Sequence, residues 1–221
     1  MATIAARITD LIGEDYTSIA TSSSGDLIDS AINEVADMLP PQLLLKYAVN
    51  PRDFNSSNTY WNAVEGKKVL LVTRKDGASG YSRECTPTSI EDFAKAQDVN
   101  SIYLATKYSP VYSYETDGGT TNLNIFPTPT DQETAKAYYF EYASGFDTSG
   151  STIDGLPKEI LQSVVLKACI NILQAYISDF VQDEEDVEMQ GMLMNQIQSL
   201  NAQFQLEMQR YSEADFQARG E

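Results

Sequence analysis

Apolar residues at the start of the chain recur at helical spacing. Ile4, Ile8, Leu11 and Ile12 share one face of a predicted helix that Gly13 can terminate. The polar run 21–25 (TSSSG) reads as a loop, with Ser24 or Asp26 available to cap the next helix. In that helix Leu27, Ile28, Ala31, Ile32, Val35, Met38 and Leu39 form one apolar stripe, and Asp29, Asn33, Glu34 and Asp37 fall on the other side. Pro40 and Pro41 stop it. Because proline is tolerated in a first helical turn, a further short helix is expected over 42–49.

From Lys67 the period shortens to that of strands and tight turns. Residues 69–73 form a β-branched and Leu-rich run; Asp76-Gly77 and Ser79-Gly80 mark a turn, and 81–86 return as the partner strand. Thr88 with Glu91, or Ser89 with Asp92, has the form of a capping box for a short helix ending near 97. Tyrosine-rich strands are predicted over 102–108, 111–115 and 122–126, the last two joined across Asp117-Gly118-Gly119. A fourth, over 135–142, places Tyr138, Phe140 and Tyr142 on one face and Ala137, Tyr139 and Glu141 on the other. Together these predict an antiparallel meander, followed by a polar linker over 143–155.

Leu156-Pro157-Lys158-Glu159 opens the longest apolar helix. Leu161, Val164, Val165, Ala168, Ile172, Ala175, Tyr176 and Phe180 line one face, and Ile160, Ile170, Leu173 and Ile177 widen it, so burial on most sides is predicted. A last helix carries Met189, Leu193, Ile197, Leu200, Phe204, Met208 and Tyr211 at intervals suited to packing along a partner helix. The predicted fold class is α+β, a helical bundle with an antiparallel β-sheet insertion. Its parts are N-terminal helices over 1–66, a β-rich insertion over 67–150 and long C-terminal helices over 151–221.

Composition narrows the function. A chain of 221 residues has room for a sizeable core. It contains no His, which excludes Ser-His-Asp and Cys-His catalysis, His-liganded zinc and a histidine pH switch. Cys85 and Cys169 stand far apart with no CxxC, which argues against a thiolate metal site or disulfide framework and for a reducing compartment. The 15 Lys and Arg against 32 Asp and Glu give a net charge of −17, the wrong sign for gripping phosphate backbones. No secretory signal opens the chain, and Gln162, Ser163, Lys167, Asn171 and Gln174 interrupt the apolar stretch 160–177, so a soluble protein without a membrane span is expected.

Chemistry has few footholds. The acidic run Asp183-Glu184-Glu185-Asp186 lacks the spacing and glycine turn of a calcium loop, and reads best as a solvated helix start. No glycine pair lies in a phosphate-cradling motif. Tyr103, Tyr108, Tyr112, Tyr114, Tyr138, Tyr139 and Tyr142 suit packing or a protein interface better than base stacking, since basic residues do not interleave with them. The Met- and Gln-rich last helix reads as a docking or bundle surface. Beyond it Phe216 is a large apolar side chain among polar neighbours, which points to a partner. No catalytic, metal-binding or cofactor-binding residue is assigned.

The order of elements resembles that of the head-to-tail adaptor proteins of tailed bacteriophages. The likeness rests on N-terminal helices, a Tyr- and Pro-containing β insertion, the Leu156-Pro157 helix opening, the apolar helix through Phe180 and the acidic elbow Asp183 to Asp186 before a Gln-rich helix. The resemblance implies a virion structural protein assembled in the host bacterial cytoplasm. It implies a homo-oligomeric ring, usually dodecameric, that binds the portal protein and a downstream tail or nozzle protein. Phe204, Met208, Tyr211 and Phe216 are then expected at a portal or subunit interface, with Asp183, Glu184, Glu185 and Asp186 facing the channel. A ring carrying −17 per subunit would pass DNA without binding it. The alternatives are another neck, tail or head decoration protein, or a virion glycan hydrolase working through paired carboxylates.

Overall fold

The computed structural model describes residues 2–13, 17, 24–47, 51–62, 64–183 and 187–218; of residues 179–183, 187 and 212–218 only the backbone is described. The protein is α+β. It divides into two compact units, a helical one (Met1–Tyr47 with Tyr142–Glu221) and a β unit (Ala48–Glu141) that interrupts it in sequence. The β unit therefore begins before Lys67 and ends before the polar linker, which belongs to the helices.

The helical unit contains α1 (Ile4–Ile12), α2 (Ser24–Met38), α3 (Pro41–Tyr47), a 3-10 turn (Lys158–Ile160), α5 (Leu161–Asp183) and α6 (Val187–Ala218); α4 (Ile90–Gln97) lies in the β unit. The Thr3 side chain caps α1 by accepting from Ala6 N at 3.2 Å, and Gly13 ends it at φ 88°. Ser24 and Asp26, read as possible caps, lie inside the first turn of α2. The central element is α5, against which α1, α2 and α6 pack. Val164, Val165, Ala168 and Ile172 are fully buried there, and so are Ile160 and Ile170 from its other sides. The stretch Lys158–Ser178, with mean hydropathy 1.5, is long and apolar enough to cross a bilayer, and 61% of its most apolar window is buried within the fold. Two of its polar interruptions find partners inside the unit, Lys167 pairing with Glu34 at 2.7 Å and Asn171 donating to Leu27 O at 3.5 Å, while Ser163 Oγ is buried without a partner.

One helical position departs from the expected amphipathic pattern. Asp29, placed by periodicity on the polar side of α2, is buried and accepts hydrogen bonds from Gly145 N and from Phe146 N (3.0 Å). Asn33 one turn on accepts from Ala143 N at 2.7 Å and donates to Ala143 O at 3.1 Å. The polar side of α2 thus docks the returning chain. Buried backbone N–H groups require such partners.

The β unit forms two four-stranded sheets in place of the single meander expected. One has the order β1 (Arg52–Phe54), β8 (Ala135–Glu141), β3 (Lys67–Lys75), β4 (Ser82–Glu84); the other has β2 (Tyr60–Trp61), β7 (Thr120–Phe126), β6 (Val111–Asp117), β5 (Thr86–Pro87). All pairings are antiparallel except β5 with β6. The strands β1 and β2 were hidden in a segment assigned to helices, since two- and three-residue strands carry no period. Phe54, Trp61, Val72, Leu123, Ile125, Ala135 and Ala137 come from both sheets and form one core. The Trp61 and Tyr139 rings meet within it at 4.7 Å between centroids. The hairpin β6–β7 turns through Gly118 (φ 58°) and Gly119 (φ 85°), the two left-handed residues that a tight two-residue turn demands.

Candidate functional site

Of the contact residues expected on α6, those whose side chains are described do not form an exposed patch. Phe204 is only 3% exposed and belongs to the helical core with Ile197 and Leu200, which corrects its reading as a portal or subunit contact. Met208 and Tyr211 are half-buried, and the Tyr211 hydroxyl donates to Glu159 O at 2.7 Å. Burial, with Glu207 and Glu159 close by, raises its pKa. Phe216 lies on α6 with its side chain outside the described residues, as do the side chain of Asp183 and the whole of Glu184, Glu185 and Asp186. Among the described residues no three Cys, Asp or Glu side chains converge as a metal site would require. Cys85 and Cys169 are buried free thiols whose pKa burial pushes up to about 12, so neither is a nucleophile at neutral pH.

Large exposed apolar side chains lie on α6 at Met192, Met194 and Leu206, and a second group follows α4. Residues 102–108, predicted to be a strand, form a chain of turns after α4 in which Ile102 is 91% exposed and Tyr103 68% while Ala105 is buried; just before them Val99 is 78% exposed. The backbone beneath is tied down at several points. Asp98 accepts from Asn100 N (Oδ1, 2.9 Å) and Ser101 N (O, 2.9 Å); Ser101 accepts from Tyr103 N (Oγ, 3.0 Å) and Leu104 N (O, 3.2 Å). Ala105 N then donates to Ala96 O at 2.9 Å and anchors the loop on α4. Such Asp and Ser bonds to following amides explain the failed strand: local side-chain acceptors compete with the sheet ladder. At the far end two cations lie over the Tyr108 ring, Arg83 at 5.3 Å and Lys107 at 5.4 Å from its centroid. A pre-formed loop that presents apolar groups to water has the makings of a protein-binding surface.

A second feature lies on the other side of α4. The helix is capped by Ser89, whose side chain accepts from Asp92 N at 3.2 Å, and it packs on β6 and β7 through Phe93. Between helix and sheet a cleft of about 370 Å³ is lined by Tyr60, Phe93, Gln97, Ser113, Glu115 and Asn124, among others. Tyr60, Asn124 and Ser113 are paired across three neighbouring strands, and Glu115 pairs with Asn122 in the next same-face row. Asn124 donates to Glu115 at 2.8 Å. The two strands and their turn were legible in the sequence; which face α4 covers was not.

Compared with known protein families and with curated proteins, the sequence matches none.

Proposed function

We propose that this protein is a non-enzymatic virion structural component, a ring-forming head-to-tail adaptor that joins a portal to the tail and lets DNA pass through. The observation that carries the reading is the exposed loop after α4. It spends an ordered backbone on holding Val99, Ile102 and Tyr103 in water, which serves a surface that other protein covers. Charge supports it from the other unit. The residues of the helical unit hold 20 acidic and 6 basic side chains, net −14, while those of the β unit hold 12 and 9, net −3. A strongly negative helical wall repels a polyanion, and the nearly neutral β unit is where copies or partners meet with least repulsion. The test is native mass spectrometry and negative-stain imaging of the pure chain, with and without a portal protein. A closed ring, or a complex that forms only with the portal, is the expected result; a monomer under both conditions overturns the reading.

A further inference from the structure

We propose that the uncharged face of α6 receives the exposed loop 99–104 of a second copy of this chain, a contact that rests on the ring reading above. From Met189 to Leu206 the sequence runs 18 residues without Asp, Glu, Lys or Arg, the longest such run in the chain. Burial on all sides would account for that, yet eleven of these side chains are exposed. Soluble surfaces are about 25–35% charged, so about three charges belong there. Their absence is the more telling in a unit of net −14. Within the run Met192, Asn195, Ser199, Ala202 and Leu206 recur at intervals of 3, 4, 3 and 4, and all five are exposed. That spacing holds them on one face, opposite the buried stripe of Ile197, Leu200 and Phe204. The face is about 21 Å long, with large side chains at its two ends and small ones between.

Charge identifies the occupant. A cationic partner is drawn to acidic surface, and an uncharged face gives it nothing to hold. A second copy carries −17 like the first, so the two close most readily where neither brings charge to the contact. The loop meets that condition: residues 99–106 hold no charged side chain and present Val99, Ile102 and Tyr103 on an ordered backbone. The chemistry of the two faces matches as well. Met192, 62% exposed, offers a thioether to the Tyr103 ring, a favourable sulfur–aromatic contact, and its flexible chain adapts to Ile102. A ring with a portal end and a tail end is polar, so its contacts run head to tail and join two different faces. Loop on loop and α6 on α6 are thereby excluded.

The full chain is followed by sedimentation velocity and native mass spectrometry. Wild type should self-associate, and more tightly at about 500 mM salt than at about 50 mM, because salt screens the repulsion between copies. Met192→Glu with Leu206→Glu, and separately Ile102→Asp with Tyr103→Ser, should each melt as wild type does and weaken association at least about tenfold. Mixed one to one, each double variant supplies the face that the other lacks, so a heterodimer should form and grow no further. Met192→Gln with Leu206→Gln removes apolar surface without adding charge; it should weaken association too, and keeps the test decisive should the Glu variant disturb the helix. A wild type that is monomeric by itself, association that salt weakens, an α6 variant that assembles like wild type, or a mixture that stays monomeric overturns the proposal. A ring that still forms with the α6 substitutions in place overturns this contact and leaves the adaptor reading standing, whereas a wild type that is monomeric even with a portal protein overturns both.

Discussion

The two units match their groups to different degrees. The helical unit puts its order inside: α5 is surrounded, its interrupting Lys167 and Asn171 are matched by Glu34 and Leu27 O, and even Asp29 is spent on docking a loop. The β unit has a core of its own, yet it keeps large apolar side chains in solvent and polar atoms unpaired beneath a helix. The contrast teaches where function is to be sought. The helical unit is not wholly matched either, since Ser163 Oγ is buried in α5 without a partner and Met192, Met194 and Leu206 of α6 are exposed, so the units differ in degree.

The largest effect should come from the matched side. Ile172→Ala empties a fully buried site on α5 and should cost about 2–5 kcal/mol, read as a lower urea midpoint in helical circular dichroism. Asp29→Ala should follow at about 1–3 kcal/mol, because the amides of Gly145 and Phe146 lose their acceptor; Asp29→Asn should recover part of the loss. On the unmatched side the signs separate. The pair Ile102→Asp and Tyr103→Ser should leave the melting temperature within the change of about 0.5 kcal/mol usual for surface substitutions, and should weaken self-association or portal binding by tenfold or more in sedimentation. A loop variant that assembles like wild type would remove the loop from the interface.

The smallest expected effect is that of pH. Glu34 is pushed up by partial burial, but the Lys167 ammonium and the Ser30 hydroxyl outweigh this and hold its carboxyl below the ordinary 4.5. A folded pKa below the unfolded one gives stability that is present above pH 4.5 and lost as the pH falls through the lowered value. In the other direction burial, then the bond to Asp37, push Tyr142 up to about 12, and burial does the same for Tyr114 in the β unit. Each contributes stability that is full below the ordinary value of 10 and is lost as the pH climbs toward 12. Urea midpoints should therefore stay level around neutrality and fall at both ends, and Lys167→Met should blunt the acid fall.

What the sequence determined by itself was whatever repeats. The stripes of α2 and α5, the Gly13 and Ser89 boundaries and the Gly118-Gly119 hairpin follow from local periods and from backbone conformations that few residues adopt. The α+β class and the lopsided charge were legible for the same reason. Only the tertiary structure decided that Phe204 turns inward, that Asp29 is buried, that β1 and β2 join the two sheets, that 102–108 is an outward-facing loop, and which helix lies over Ser113. Periodicity says which positions share a face. What covers that face is settled by residues distant in sequence, and a turn or a two-residue strand has no period from which to read it.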